Sequence, residues 1–140
     1  ANKIKNGWAD WVYEEEFSMS KAFAWSPDGQ KIAFIRFDES EVPEFNMQLW
    51  GKLYPQDYKF KYPKAGESNA KVSIHFYDLA SKKTVKADTG TETDIYLPRI
   101  YWTGEANTLA FLRVNRLQNQ IDLLYVDAQT GQSKVVLEEK

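Results

Sequence analysis

The sequence predicts an all-β fold: a partial β-propeller of about two four-stranded antiparallel blades, with a short helical turn and a long hairpin arm. Three observations support this fold class. Aromatic residues make up 15% of the 140 residues, and such side chains fit a pleated, half-buried surface. A twelve-residue pattern occurs twice. Finally, a stretch of alternating apolar and polar residues interrupts the first copy of the repeated unit.

The lead-in segment, residues 1–17, is expected to contain a strand followed by a short helix. Asp10 is of a type favoured at the N-cap position. The stretch from Trp11 to Phe17 contains no proline or glycine that would interrupt one or two helical turns. Acidic residues close to a helix start also interact favourably with the helix dipole. The pattern therefore predicts a helix capped by Asp10.

The repeat indicates how the remaining strands are organised. Trp25 to Arg36 realigns without a gap on Trp102 to Arg113. Each copy has the pattern of a strand, a turn and a second strand, with the turns at Pro27 to Gly29 and at Gly104 to Asn107. Third and fourth strands are expected at 76–78 and 84–86 in the first copy, and at 125–127 and 134–137 in the second.

Tandem four-stranded units of this kind are typical of β-propeller blades, although a generic antiparallel meander is an alternative. Because closed propellers use about 4 to 8 blades, the chain is expected to be a fragment of a longer protein. Arg36 and Arg113 occupy equivalent positions of the repeat, which favours a packing role for both.

The first copy is longer than the second because of an insertion within Asp38 to Lys71. Alternation of apolar and polar residues along two stretches predicts a projecting hairpin arm. The apolar members are Phe45, Met47, Leu49, Tyr58, Phe60 and Tyr62. An isolated two-stranded ribbon is only marginally stable in water, so its apolar face is expected to be covered. The partner is either the chain's own propeller or a second molecule.

The composition argues against several classes of protein. Lys plus Arg number 18 and Asp plus Glu number 20, which gives a net charge of −2 with both signs scattered, so no nucleic-acid footprint is visible. The absence of cysteine excludes disulfides and a cysteine-ligated zinc site. No apolar run reaches the roughly 18 to 20 residues of a membrane span, and the N-terminus lacks a signal-peptide layout. No cofactor or metal site is predicted.

Three consecutive carboxylates, Glu14, Glu15 and Glu16, are the strongest functional signal. Adjacent helical residues diverge by about 100°, so Glu15 and Glu16 can approach one ammonium group from two sides while Glu14 points elsewhere. Two interpretations are open on these residues alone. The run is either a solvated helical turn anchored by its aromatic neighbours or a binding site for a cation.

The string Asp10 to Phe17, read as Asp-Trp-Val-Tyr-Glu-Glu-Glu-Phe, closely resembles a motif of the dipeptidyl peptidase IV family of prolyl oligopeptidase-type serine peptidases. The resemblance extends from about Asn6 to Val136 and implies a fragment of the family's N-terminal β-propeller domain. Carried over by position, it implies that Glu15 and Glu16 hold the free amino terminus of a peptide substrate. Phe17 is expected to line the adjacent pocket.

The resemblance implies that the parent protein is an exopeptidase that releases Xaa-Pro and Xaa-Ala dipeptides from peptide N-termini. The family's nucleophile lies in a Gly-x-Ser-x-Gly turn of an α/β-hydrolase domain, followed by Asp and His. No Gly-x-Ser-x-Gly occurs in this chain, and its only histidine, His75, is expected to be a packed strand residue. No catalytic residue is therefore assigned here. The segment should be inactive without the parent hydrolase domain, its expected partner.

The resemblance also bears on assembly and location. Glu41 to Pro43 and Tyr62 to Gly66 are similar to the family at the two ends of an arm used in dimerisation. This implies a homodimer through the hairpin arm, Phe45 to Tyr62. The cysteines and Asn-x-Ser/Thr sequons common in animal members are absent, which implies a bacterial protein that is periplasmic or secreted.

The predicted organisation has three parts: the lead-in and glutamate motif at 1–17, a first blade at 18–90 with its arm at about 38–71, and a second blade at 91–140. Two other functions stay open. One is a non-catalytic propeller scaffold that binds proteins, similar to proteins with Trp-Ser-Pro-Asp-Gly repeats, which would have no need of paired glutamates. The other is a family member that has lost its nucleophile.

Overall fold

A computed structural model describes residues 3–105 and 107–140 as a mostly β chain with antiparallel sheets and one short helix. Ala106, in the turn predicted for the second copy of the repeat, lies outside the described residues. The elements are β1 (Ile4–Asn6), α1 (Trp11–Phe17), β2 (Phe23–Trp25), β3 (Lys31–Asp38), β4 (Glu44–Leu49), β5 (Gln56–Lys61), β6 (Lys71–Asp78), β7 (Thr84–Lys86), β8 (Ile95–Trp102), β9 (Thr108–Asn115), β10 (Ile121–Asp127) and β11 (Ser133–Glu139). No helix in the described ranges is long and apolar enough to cross a membrane.

The first sheet has five strands with β3 at its centre. Strand β6 pairs antiparallel with the whole of one edge of β3, and β7 pairs with β6. Strands β1 and β2 pair with different halves of the other edge, so that Lys5 lies opposite Phe37 and Ala24 opposite Ala33. The two short strands therefore act as one interrupted edge strand, and the chain between them leaves the sheet.

The second sheet has four antiparallel strands in the order β11-β10-β9-β8. Its first strand, β8, is irregular, because the register with β9 shifts between Tyr96 and Arg99. Pro98 lies within this shift, and proline has no N–H to donate to the sheet, which confines it to edges and bulges. Leu97 also lies within this shift, and its N–H donates to the Tyr13 phenol oxygen of α1.

The two copies of the repeat fold alike where they align. In the first, the Ser26 N–H donates to the Lys31 carbonyl oxygen at 2.9 Å, and in the second the Thr103 N–H donates to the Thr108 carbonyl oxygen at 3.0 Å. Each turn leads into an eight-residue strand, β3 or β9, at the interior of its sheet. The third and fourth strands also form in both copies, as the pattern predicted.

The two sheets share a packed interior. Large apolar side chains from the two sheets are fully buried there. Burial of each one stabilises the fold by roughly 1.5–3 kcal/mol. They are Phe37, Phe76, Phe111, Ile35, Ile74, Leu97, Leu109 and Leu124. Trp102 of β8 joins the sheets, because its Nε1–H donates to the Ala24 carbonyl oxygen of β2 at 3.1 Å.

The predicted hairpin arm consists of β4 and β5, with Phe45 directly opposite Phe60. The base of the arm packs within the chain: the ring of Tyr62 meets that of Trp11 of the helix edge to face, with centroids 4.4 Å apart. The chain's own helix thus covers part of the apolar face of the arm. Of the two partners that the sequence left open, this part of the face uses the chain itself. The tip of the arm, between β4 and β5, is exposed and includes the large apolar side chains of Trp50, Leu53 and Tyr54.

Candidate functional site

The helix α1 is the tip of an excursion from the edge strand of the first sheet. The chain leaves the sheet at Gly7, whose positive φ of 72° suits glycine. Two hydrogen bonds close the neck of the excursion: the Ala9 N–H donates to the Ser20 carbonyl oxygen, and the Ala22 N–H donates to the Gly7 carbonyl oxygen, both at 3.1 Å. The ends of this segment are therefore held together while the helix projects from the strand.

The helix has the predicted bounds, and local capping explains both. Asp10 has extended backbone geometry, and its Oδ1 accepts a hydrogen bond from the Tyr13 N–H at 3.0 Å. This is the N-cap arrangement, which satisfies one of the free N–H groups of the first turn. At the other end Ser18 adopts a left-handed conformation, and the Met19 N–H donates to the Tyr13 carbonyl oxygen at 3.0 Å.

The capping carboxyl of Asp10 lies in an unusual environment for an acid. The residue is only 4% exposed. Burial raises the pKa of Asp10 to about 6, against the opposing effect of the hydrogen bond from Tyr13. The nearby carboxylate of Glu39, itself buried and paired with Lys5 at 3.2 Å, raises this pKa further. The start of the helix therefore contains a carboxyl group whose pKa lies well above that of an ordinary aspartate.

Tyr13 connects the helix to the second sheet. Its side chain is fully enclosed, and its ring packs edge to face against Phe37 with centroids 4.8 Å apart. The phenol oxygen accepts a hydrogen bond of 2.7 Å from the Leu97 N–H in the bulge of β8. Burial raises the pKa of Tyr13 well above its usual value, so the phenol stays neutral. The bulge frees the Leu97 N–H from strand pairing, and Tyr13 satisfies it.

Arg99 makes a second connection at the other end of the helix. Its Nη1 donates to the carbonyl oxygen of Phe17 at 2.9 Å and to that of Pro98 at 2.6 Å. The last carbonyl groups of a helix have no partner within it and carry partial negative charge, so a guanidinium there is favourable. Both ends of α1 are thus tied to neighbouring structure. Sequence reasoning missed Arg99, although Pro98 within an apolar strand was a signal of irregular pairing.

The glutamates project from this supported helix. Glu14, Glu15 and Glu16 are all exposed, and no ion pair found among residues 3–105 and 107–140 includes any of them. Phe17 follows directly and is half-buried, with its ring 5.2 Å from Tyr13 between centroids. The described part of the chain therefore presents three consecutive exposed carboxylates on a short, anchored helix, and Glu15 and Glu16 are the two nearest in sequence to the aromatic side chain of Phe17.

His75 lies on β6 and is half-buried, stacked on Phe34 with ring centroids 5.5 Å apart. Its Nε2 is 2.9 Å from the Ser73 Oγ. Within the described part of the chain no carboxylate is hydrogen-bonded to this imidazole, whereas a catalytic triad requires one to orient the base. Burial lowers the pKa of His75, and the cations Lys86 and Arg36 lower it further. These contacts agree with a packed strand histidine.

The remaining charged candidates make local contacts. Arg113 of β9 forms a 2.6 Å ion pair with the buried carboxylate of Asp122 on β10, its direct neighbour in the sheet. Arg36 has Ser73 opposite it and turns instead to Asp38 at 3.4 Å. The two equivalent arginines thus make different contacts: Arg113 pairs with the neighbouring strand, and Arg36 pairs within its own strand. Among residues 3–105 and 107–140 no group of three or more potential metal ligands occurs.

Comparison with known proteins matches all 140 residues to the model of the dipeptidyl peptidase IV (DPP IV) N-terminal region. A probable dipeptidyl-aminopeptidase B of Phaeosphaeria nodorum is 34% identical in an alignment of 149 positions, which covers 95% of this chain and 16% of that protein. The dipeptidyl peptidase 4 of Trichophyton rubrum is 32% identical in an alignment of 145 positions, which covers 96% of this chain and 19% of the relative. The chain thus spans less than one fifth of these relatives.

Solved structures give the same result. The crystal structure of Porphyromonas gingivalis dipeptidyl peptidase 4 superposes with a TM-score of 0.91 at 45% identity, covering 99% of this chain and 20% of that one. A putative dipeptidyl aminopeptidase IV from Bacteroides ovatus superposes with a TM-score of 0.85 at 30% identity, covering 99% and 19%. The chain therefore belongs to the dipeptidyl peptidase IV family, as part of its N-terminal region.

Proposed function

We propose that this chain is the part of a dipeptidyl peptidase IV-like serine exopeptidase that binds the free amino terminus of the substrate. Glu15 and Glu16 are the groups that bind it, and Phe17 lies beside the first side chains of the peptide. The observation that carries the proposal is the pair of adjacent, exposed carboxylates without an ion-pair partner in the described residues. The helix that bears them is anchored at both ends.

The chemistry of the pair suits an α-ammonium group. An ammonium has three N–H donors, and each hydrogen bond to a charged partner contributes roughly 1.5–3 kcal/mol. Two neighbouring carboxylates repel each other until a cation neutralises the site. A peptide held at its amino terminus can present only the bond a set distance away to the nucleophile. The clamp therefore converts a peptidase into one that releases dipeptides, here those with Pro or Ala in second position.

The nucleophile itself must come from another part of the longer protein, because this chain has no Gly-x-Ser-x-Gly sequence. We place it in an α/β-hydrolase domain facing this segment. In this arrangement the two main sheets are blades of a β-propeller, and the helix excursion replaces part of the edge strand of one blade. The four-stranded pairing of the second sheet and the aligned turns of the two copies support this assignment.

The test is dipeptide release from a Gly-Pro chromogenic substrate by the full-length protein. Glu15→Gln and Glu16→Gln should each lower kcat/KM by roughly tenfold or more, the scale of one charged hydrogen bond. Glu14→Gln is the matched control, because it removes an equally exposed carboxylate of the same helix and should leave kcat/KM within about twofold. Blocking the substrate amino group should abolish turnover.

Equal effects of the three substitutions would contradict the clamp. They would favour the other interpretation, in which the three glutamates only form the solvated surface of the helix. Wild-type protein without any turnover would favour a propeller scaffold or a member that has lost its nucleophile.

We further propose that the exposed end of the arm contributes to a homodimer. Its base is covered by the chain's own Trp11, whereas Trp50, Leu53 and Tyr54 at the tip are 72%, 86% and 77% exposed. Three large apolar side chains that project together from a narrow ribbon are unfavourable in water. A second copy of the protein that covers them would remove this cost.

A further inference from the structure

The bulge of β8 contacts the glutamate helix at two points. The Leu97 N–H donates to the Tyr13 phenol oxygen in the first turn, at 2.7 Å, and Arg99 Nη1 donates to the Phe17 carbonyl oxygen at the end, at 2.9 Å. The same Nη1 also donates to the Pro98 carbonyl oxygen of its own strand. The guanidinium therefore bridges the end of the helix and the bulge of the neighbouring sheet.

We infer that Arg99 is a positioning residue for the carboxylates of Glu15 and Glu16, an inference that rests on the proposed function. The two glutamates occupy the second half of a seven-residue helix, and Phe17, whose carbonyl Arg99 binds, comes directly after them. Arg99 acts through the backbone at the helix end. Its contacts with the carbonyl oxygens of Phe17 and Pro98 fix the backbone at the helix end, and the packing of the Phe17 ring on Tyr96 fixes the side chain.

The need for such a group follows from the length of the helix. Isolated helices shorter than about 12–15 residues are marginal in water, so this one depends on its tertiary contacts. Asp10 caps its start and Tyr13 anchors its first turn. The last turn, which bears the glutamates, is joined to the second sheet by the Phe17 ring, 5.3 Å from that of Tyr96 between centroids, and by the hydrogen bond from Arg99 to the Phe17 carbonyl oxygen. Without the guanidinium the last turn would keep only the packing of the Phe17 ring, and its backbone would lose its hydrogen bond to the second sheet.

Small displacements at this point matter for binding. The clamp requires both carboxylates to meet one ammonium group, and a shift of about 1 Å in a positioning contact can cost up to 10²-fold in rate. A loosened last turn would weaken capture of the substrate while leaving intact the nucleophile, which belongs to a different domain. The consequence is specific: KM should rise, and the intrinsic reactivity of the catalytic serine should not change.

The experiment compares Arg99→Met and Arg99→Lys in the full-length protein with the Gly-Pro chromogenic substrate. Arg99→Met should raise KM by about tenfold with kcat within about twofold, because one charged hydrogen bond is lost. Arg99→Lys keeps a cationic N–H donor and should recover most of that loss. Labelling of the catalytic serine by a small fluorophosphonate, which needs no ammonium clamp, should proceed at the wild-type rate in both.

Arg116→Met is the matched control. Arg116 Nη2 also donates to a loop carbonyl oxygen, that of Glu67 at 2.9 Å, yet it does not contact the helix. Its loss should leave KM within about twofold. In the Glu16→Gln background, Arg99→Met should have little further effect, because residues that act as a unit are not additive.

Two results would overturn the inference while leaving the clamp intact: an unchanged KM in Arg99→Met when Glu16→Gln is impaired, or equal effects of Arg99→Met in both backgrounds. A parallel loss of serine labelling would also overturn it, by showing general damage to the protein. If Glu16→Gln itself is unimpaired, the proposed function fails, and the positioning role fails with it.

Discussion

The buried carboxyl group of Asp10 should make the stability of the glutamate helix depend on pH. Burial raises its pKa from 3.8 to about 6, so the folded helix binds the proton more tightly than the opened helix does. The stabilisation from this group is therefore fully present below pH 3.8 and is lost as the pH rises through about 6. A difference of roughly two pKa units at about 1.4 kcal/mol each gives at most about 3 kcal/mol.

Asp10→Asn separates the charge from the cap. Asparagine caps a helix about as well as aspartate but cannot ionise. The free energy of helix opening should then be nearly constant between pH 4 and pH 7, and at pH 7 it should exceed that of the wild type. Asp10→Ala is the control: it should be equally insensitive to pH but less stable than Asp10→Asn by about 1 kcal/mol, because the cap is lost.

Hydrogen exchange detected by mass spectrometry on a peptide covering residues 11–20 of the full-length protein measures this opening directly. After correction for intrinsic exchange rates, wild-type protection should fall as the pH rises from 4 to 7. The charged groups around the carboxyl, namely Lys5, Glu14 and Glu39, are unchanged in both variants. Wild-type protection that increases with pH, or an Asp10→Asn variant with the wild-type slope, would refute the reasoning.

Two further predictions concern the framework. Gly131→Ala should lower the thermal stability of the protein, because Gly131 has a φ of +77° and an added Cβ would clash with the Lys86 carbonyl oxygen. Gly29→Ala, at a φ of +67° with open space around it, should cost less in the same melting experiment, and equal losses would argue against the clash. Leu53→Asp at the arm tip should shift the full-length protein toward monomer in analytical ultracentrifugation, whereas Leu117→Asp, at an equally exposed leucine outside the arm, should not. A dimer that withstands Leu53→Asp would argue against the arm.

Several elements could be predicted because their signals are local. The helix from Trp11 to Phe17 begins and ends where its cap and composition indicated. The hairpin arm follows from period-two alternation, which any antiparallel ribbon with one apolar face must show. The realigned stretches from Trp25 and Trp102 form the same turn and interior strand in each sheet. The family resemblance of the glutamate motif was also correct.

Other features depend on residues far apart in the chain and leave no periodic trace. No local sequence pattern indicates that β1 and β2 pair with the same edge of β3. That pairing depends on the unpaired N–H and C=O groups along this edge of β3, which exist only once the sheet has formed. The burial of Asp10 and the contact of Trp11 with the arm require the sheet and the hairpin to be in place. The link from Arg99 to the helix likewise appears only once the bulge is formed.

The sequence by itself determined the mostly β fold, the repeated strand order, the capped helix and the run of three glutamates, because strand period, turn chemistry and capping act over a few neighbouring residues. Only the tertiary structure decided which contacts hold that helix in place and that its N-cap residue, Asp10, is buried. Those properties depend on contacts that span more than eighty residues, such as Tyr13 with Leu97 and Phe17 with Arg99. A short helix is too weak to hold its own position, so the neighbouring sheet has to supply it.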